Sequence, residues 1–253
     1  MLDKYNEHLL LIGRNYAFIF CAALLSLTSC QEKNRAYEII ENSLQAHGGV
    51  EKWQQATELS YKKTTILYDS VGNIEKKIIQ KHTNTFQPVF SAEMQWIEDS
   101  ISKKVIFKDN QISVLYDNVL QNNSNQKQQY RKNIIAANYV IWQPYKLLDT
   151  DVTLDYLGEE NIDDKTAHVI QASYYNDDDS PANTWWYYFD VETYLLLGNM
   201  VHHGTTYSYI KNIKYENQTG LSLNAERKSY MTDSLRNIKF LRANYFYEIF
   251  DLK

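Results

Sequence analysis

Cysteine is nearly missing from this chain, with two among 253 residues, so a disulfide scaffold is excluded. Glycine (8) and proline (3) are scarce as well, which excludes collagen-like and proline-rich classes. There is no basic excess: Lys and Arg total 26 against 31 Asp and Glu, for a formal charge of −5. A nucleic-acid binder would normally carry a basic stripe, so nucleic acid is not an expected partner. The catalytic signatures H-E-x-x-H, G-x-S-x-G and a Gly-rich phosphate loop are all missing. What is present is apolar and aromatic. Apolar residues reach 44% and aromatic ones 14%, enough buried surface to offset chain entropy, so general disorder is excluded.

The longest uncharged apolar run is Tyr16–Leu27 (YAFIFCAALLSL), preceded by Lys4 and Arg14, with Asp3 and Glu7 as counter-charges. It has the length of a signal-peptide core and falls short of the ~20 residues that span a bilayer. A membrane helix over Leu9–Leu27 is disfavoured because Arg14 would cost roughly 2.5–3.5 kcal/mol near its middle. The run ends in Leu27-Thr28-Ser29-Cys30. This tetrad resembles the lipobox of bacterial lipoproteins. The resemblance implies removal of residues 1–29, lipidation of Cys30 and a short tether over 30–35. Several acyl chains hold a protein firmly where one binds marginally. Cys21 lies in the segment to be removed, so Cys30 becomes the sole cysteine. A thiol catalyst and a cysteine-ligated zinc site are then excluded. Residue 31 is Gln rather than Asp. In Gram-negative lipoproteins Asp there marks inner-membrane retention, so the resemblance implies an outer-membrane anchor.

The remainder, 36–253, reads as one α+β domain with no internal linker. Ala36–Ala46 carries Tyr37, Ile40 and Leu44 on one helical stripe, and His47-Gly48-Gly49 ends it. Val50–Ala56 is expected to add one turn anchored by Trp53. Alternating runs then predict strands over Glu58–Asp69, Ile74–Phe86, Phe90–Glu98, Lys103–Phe107 and Ile112–Tyr116. The polar run Gln121–Gln129 is read as a solvated loop entering a helix over Tyr130–Val140. A second series follows: Thr153–Glu160, Lys165–Tyr175, Thr184–Asp190, Leu195–His202, Thr205–Tyr215, Leu221–Met231 and Ile238–Ile249. Even spacing and turn residues between the runs point to one large antiparallel sheet.

This order of helix, strands, helical insertion and strands resembles the periplasmic lipoprotein-carrier and lipoprotein-receptor superfamily (LolA/LolB-like). The resemblance implies a single curved antiparallel sheet of about eleven strands, an open half-barrel with an N-terminal helix and a helical lid. Several segments also resemble an uncharacterised family of Gram-negative lipoproteins. They are His47-Gly48-Gly49 with Trp53, Tyr68-Asp69-Ser70-x-Gly72-Asn73, Trp142–Asp149, Trp185–Asp190 and Asp233-Ser234-Leu235-Arg236.

A curved sheet with a lid leaves a cavity suited to an apolar ligand, because burial yields ~25 cal/mol per Å². On a strand, Trp185, Tyr187 and Phe189 share one face, and Trp186 and Tyr188 share the other. With Tyr139, Trp142 and Tyr145 of the insertion, Trp185, Tyr187 and Phe189 are the candidate ligand-binding residues. Plain core packing is the commoner role of such rings.

Polar constellations are weak. His202 and His203 point to opposite faces of a strand and cannot easily share a metal. Asp177-Asp178-Asp179 reads as a solvated run, not a calcium loop. His82 and His168 read as hydrogen-bonded strand residues, and Lys62-Lys63, Lys76-Lys77 and Lys103-Lys104 as solvated sheet edges. No cofactor or metal is expected. Three functions compete. The first is a membrane-anchored, non-enzymatic binder of a lipid or other apolar ligand. The second is a scaffold for a protein or glycan. The third is a hydrolase using His202 or His203.

Overall fold

The computed structural model describes residues 35–175 and 181–253. Cys30, the segment 1–29 and Asp177-Asp178-Asp179 lie outside the described residues.

Helix α1 covers residues 35–46, and α2 covers Val50–Gln55. The first strand series is β1 (Glu58–Tyr68), β2 (Ile74–Thr85), β3 (Ser91–Glu98), β4 (Ile101–Lys108), β5 (Gln111–Tyr116) and β6 (Val119–Leu120). Helix α3 (Ser124–Ile141) and a 3-10 turn over Tyr145–Leu148 follow. The second series is β7 (Val152–Ile162), β8 (Lys165–Tyr175), β9 (Pro181–Asp190), β10 (Leu196–His203), β11 (Thr206–Glu216), β12 (Leu223–Thr232) and β13 (Ile238–Leu252).

All thirteen strands form one antiparallel sheet in the order β6-β5-β4-β3-β2-β1-β13-β12-β11-β10-β9-β8-β7. The chain enters at the middle of the sheet and builds outward to the β6 edge. It then crosses through α3 to the β7 edge and meanders back to pair β13 with β1. Edges β6 and β7 do not pair, so the sheet stays an open half-barrel. The strand count exceeds the implied eleven. Every run read as a strand forms one, and the two-residue β6 adds to them.

Hairpin turns explain how so large a sheet manages with little glycine. Asp99-Ser100, Asp109-Asn110, Asp117-Asn118 and Asp163-Asp164 all take positive φ at both residues. That is the type I′ pattern, whose twist matches antiparallel strands, and short polar side chains tolerate it. At two other hairpins a carboxylate closes the turn. Asp69 accepts from the Val71 and Asn73 amides at 3.0 and 2.8 Å, and Asp233 accepts from Leu235 and Asn237 at 2.8 and 3.0 Å.

Gly48 does require glycine. Its φ is +116°, and a Cβ there would sit 2.4 Å from the Gly220 carbonyl oxygen. The chain turns here so that the His47 carbonyl can accept from the Ser222 amide at 3.0 Å. The end of α1 is thereby fastened to the loop before β12.

Both long helices cover the same face of the sheet. Ala36, Ile39, Ile40 and Leu44 of α1 pack with Leu59, Leu154, Ile170, Phe189 and Leu223 in the main core. Ile134 of α3 packs with Met94, Trp96, Val105, Phe107 and Val114 in a second. The polar run before α3 differs from its reading as a loop. The helix starts at Ser124 because Asn123 caps it, its Oδ1 accepting from the Gln126 amide at 3.0 Å. Among the described residues no helix is long and apolar enough to cross a membrane.

The sheet also carries a cluster on its outer face, where Tyr188 packs with Val169, Met200 and Tyr209. Arg236, from the β12–β13 turn, lies 5.5 Å from the Tyr188 ring centroid and donates to its hydroxyl at 3.1 Å. That turn is what seals Tyr188 from water.

Candidate functional site

Helix α3 carries two stripes. One, with Ile134, Ala137, Asn138 and Ile141, is buried toward the sheet. The other, with Arg131, Ile135, Ala136, Tyr139 and Val140, is offset around the helix by its 3.6-residue period. This second stripe faces Tyr174 of β8 and Trp185 of β9 across a groove of about 440 Å³. Gln128, Arg131 and Lys132 provide its polar rim. Ile135 is 38% exposed there, a large apolar side chain left facing solvent.

The floor of the groove is a chain of tyrosine hydroxyls. Tyr139 hydrogen-bonds Tyr174, and Tyr174 hydrogen-bonds Tyr187 at 3.2 Å. Gln143 Nε2 donates to the Tyr187 hydroxyl at 3.3 Å. Burial pushes the pKa of all three phenols up, so they remain protonated and neutral. Trp185 stacks near-parallel on Tyr187, with centroids 6.2 Å apart, and meets Tyr174 edge-on at 6.4 Å.

The six candidate aromatics divide by depth. Tyr139 and Trp185 line the groove. Tyr187 lies beneath it, fully buried. Phe189, also fully buried, belongs to the main core. Trp142 is buried between Phe86, stacked at 4.0 Å, and Trp53, edge-on at 4.7 Å. Tyr145 is half-buried and parallel to Trp53 at 6.1 Å. Tyr174, Ile135 and Ala136 were not singled out from the sequence. The helical offset of Ile135 and Ala136 from the buried stripe was the available signal.

Histidines have varied roles. His47 is fully buried, with Nδ1 at 2.8 Å from the Ser222 carbonyl, and Nε2 accepts from the Leu196 amide at 3.2 Å. These bonds select the tautomer protonated at Nδ1. His82 differs from its reading as a hydrogen-bonded residue. It stacks on Tyr61 at 4.8 Å, and neither ring nitrogen has a partner. His168 lies 3.3 Å from the Tyr156 hydroxyl and 3.4 Å from Glu159, with its pKa lowered by burial. His202 stacks on Tyr207 at 4.2 Å. Among the described residues no cluster of three His, Cys, Asp or Glu could hold a metal.

Two lysine readings are corrected. Strand β1 lies inside the sheet between β2 and β13, and β4 lies between β3 and β5, so Lys62, Lys63, Lys103 and Lys104 are not at an edge. Lys62 pairs with Glu248 on the outer face. Lys63 shares the inner face with Tyr61, its ammonium 5.2 Å from the Tyr245 ring centroid.

The fold is LolA-like. A LolA superfamily protein from Nitrosomonas europaea superposes with a TM-score of 0.52 at 10% identity, over 86% of this chain and 92% of that one. A DUF1329 family protein from Desulfovibrio piger gives 0.45 at 8% identity, over 86% and 92%. A putative outer membrane lipoprotein-sorting protein domain from Vibrio parahaemolyticus gives 0.45 at 9% identity, over 87% and 92%. No curated protein matches the chain. A family model does match, over residues 13–239, and by that match the chain belongs to a family of unknown function, DUF6503.

Proposed function

We propose that this protein is a non-enzymatic, membrane-anchored envelope lipoprotein that binds a lipid or other apolar ligand between α3 and the β8–β9 strands. The observation that carries this reading is the groove itself. Its volume of about 440 Å³ falls within the range of small-molecule sites, and Ile135, Ala136, Val140, Tyr139 and Trp185 line it. An exposed apolar stripe on a helix loses contact with water when an acyl chain covers it, which favours binding.

Ala136 is exposed within the groove, so Ala136→Trp fills the groove without disturbing the core. The purified full chain is expected to bind a fluorescent fatty acid saturably. Ala136→Trp should weaken that binding by at least roughly tenfold, about 1.4 kcal/mol, with an unchanged melting temperature. Equal binding by both proteins would remove the groove as the site. A second reading, a protein scaffold, would then gain weight from the outer face. There Ile79, Ile97 and Phe250 are exposed beside Lys62, Lys77 and Lys81.

Anchoring rests on the lipobox resemblance alone, with Cys30 as the lipidated residue and the outer membrane as its address. Cys30→Ala is expected to leave the chain unprocessed or to release it into the soluble fraction. A variant that still fractionates with the membrane as wild type does would overturn the anchor.

A further inference from the structure

The inner face of the half-barrel is not uniformly apolar. Arg227 on β12 is 3% exposed, yet its hydrogen bonds go to neutral amides. Its Nε donates to Asn212 Oδ1 at 2.9 Å and its Nη2 to Asn199 Oδ1 at 2.7 Å. Across β13, in line with Tyr247, stands Lys63. Tyr245 is opposite Arg227 in register, and the Tyr247 hydroxyl adjoins the guanidinium. Two cations thus share one interior surface, and among the described residues neither has an acidic partner.

Burying an arginine without a counter-charge is costly, because its guanidinium does not give up its proton. Unpartnered polar atoms surround the pair. Asn199 is fully buried and its Nδ2 has no partner. Both ring nitrogens of the buried His82, paired in register with Tyr61, are also unpartnered. Lys63 keeps part of its surface accessible although burial lowers its pKa, and Arg227 lowers it further. Lys63 is only half-buried, so part of its side chain stays open on the inner face beside Tyr245.

Positive charge and the unpartnered Asn199 Nδ2 therefore share a surface to which, among the described residues, no negative charge is supplied. Arginine and lysine together are suited to carboxylate and phosphate oxygens. Asn199 also pairs in register with Tyr187, the last of the tyrosines beneath the groove. Asn199, to which Arg227 is hydrogen-bonded, thus lies one strand from the groove floor. We infer that the row from Lys63 across β13 to Arg227 and Asn199 binds an oxyanion, a carboxylate or phosphate ester, carried as the head of the amphiphile whose tail the groove takes. This rests on the groove reading and adds the charge of the ligand to it.

The test compares oleate with oleyl alcohol, which have the same chain and differ in charge, and adds inorganic phosphate as a head without a tail. All three are titrated against the purified full chain. Oleate should bind roughly tenfold more tightly than oleyl alcohol. Lys63→Met and Arg227→Gln should each abolish that preference and leave the alcohol bound as before. Lys63→Met is the safer variant, since among the described residues Lys63 holds no other side chain by a hydrogen bond, and a melting curve checks that each variant is folded. Equal binding of acid and alcohol by the wild type overturns the oxyanion site and leaves the groove standing. A preference that survives in a folded Lys63→Met protein also overturns it. If neither oleyl compound binds, the groove reading fails, and phosphate decides the rest. Phosphate binding lost in Lys63→Met supports the oxyanion row, and no phosphate binding overturns it.

Discussion

Replacing Trp142 by alanine is expected to cost roughly 3–5 kcal/mol of folding stability, the range for removing a fully buried large aromatic. Trp142 is 2% exposed and is the C-cap residue of α3. Its indole meets Phe86, just past β2, and Trp53 of α2. Three parts of the chain that are far apart in sequence close on this one ring. Deleting it removes both aromatic contacts and leaves a cavity that the surrounding sheet cannot collapse into, so transfer and cavity terms add. Urea unfolding of wild type and variant would measure the difference. A loss below about 1 kcal/mol would mean that Phe86, Trp53 and Tyr145 repack to fill the space, and that Trp142 is not the pin between helix and sheet.

Acid should destabilise the protein in a window that belongs to histidine. Burial lowers the His47 pKa to about 4, against a smaller opposing effect of its bond to the Ser222 carbonyl. Burial, aided by the nearby Lys63 charge, lowers that of His82 to about 3. Both imidazoles are neutral in the fold, whereas in the unfolded chain they protonate near pH 6.5. Below pH 6.5 the unfolded state therefore binds more protons, and stability falls as pH falls. It is complete above pH 6.5. It declines until about pH 4 for His47 and about pH 3 for His82, where each folded group also protonates. At about 1.4 kcal/mol per unit, His47 contributes on the order of 3 kcal/mol and His82 on the order of 5 kcal/mol.

Carboxylates act lower on the pH scale. Hydrogen bonds from Lys103 and Lys76 hold Glu98 down at about 2. Burial raises the Asp190 pKa, but Lys165 and the Thr193 and Glu192 amides outweigh it and leave it at about 2. Their losses begin where the unfolded carboxylates protonate, at about pH 4 to 4.5, so the decline from pH 6.5 to pH 5 reports the histidines. Denaturation midpoints across pH 7.5 to 4.5 would trace it. His82→Phe keeps a ring against Tyr61 and has nothing to protonate, so its profile should be flatter than that of the wild type. A wild-type stability that does not change over this range would contradict buried neutral histidines.

Much of the fold was legible locally. Period-two alternation with Asp and Asn turns marked the strands, because a half-buried strand writes its two faces into neighbouring residues. The apolar stripe of α1 and the glycine pair after it marked the first helix for the same reason. The start of α3 is not legible in this way, since Gln121–Gln129 looks like a loop by composition. One cap, Asn123 on Gln126, was enough to extend the helix through it.

The candidate site was legible only in part. Alternation put Trp185, Tyr187 and Phe189 on one face, and it could not say how deep each would sit. Depth depends on where α1 and α3 cross the strand, which neighbouring residues do not encode. The same limit hid Lys63. Alternation separates it from Lys62, but whether β1 is an edge or an interior strand is settled by its pairing with β13, the last strand of the chain. By itself the sequence determined the elements, their turns and the resemblance to an exported half-barrel, because those follow from local periodicity and short motifs. Only the tertiary structure decided which rings are core and which line the groove, and that two cations share the interior without an acid. Those facts follow from contacts between residues far apart in the chain.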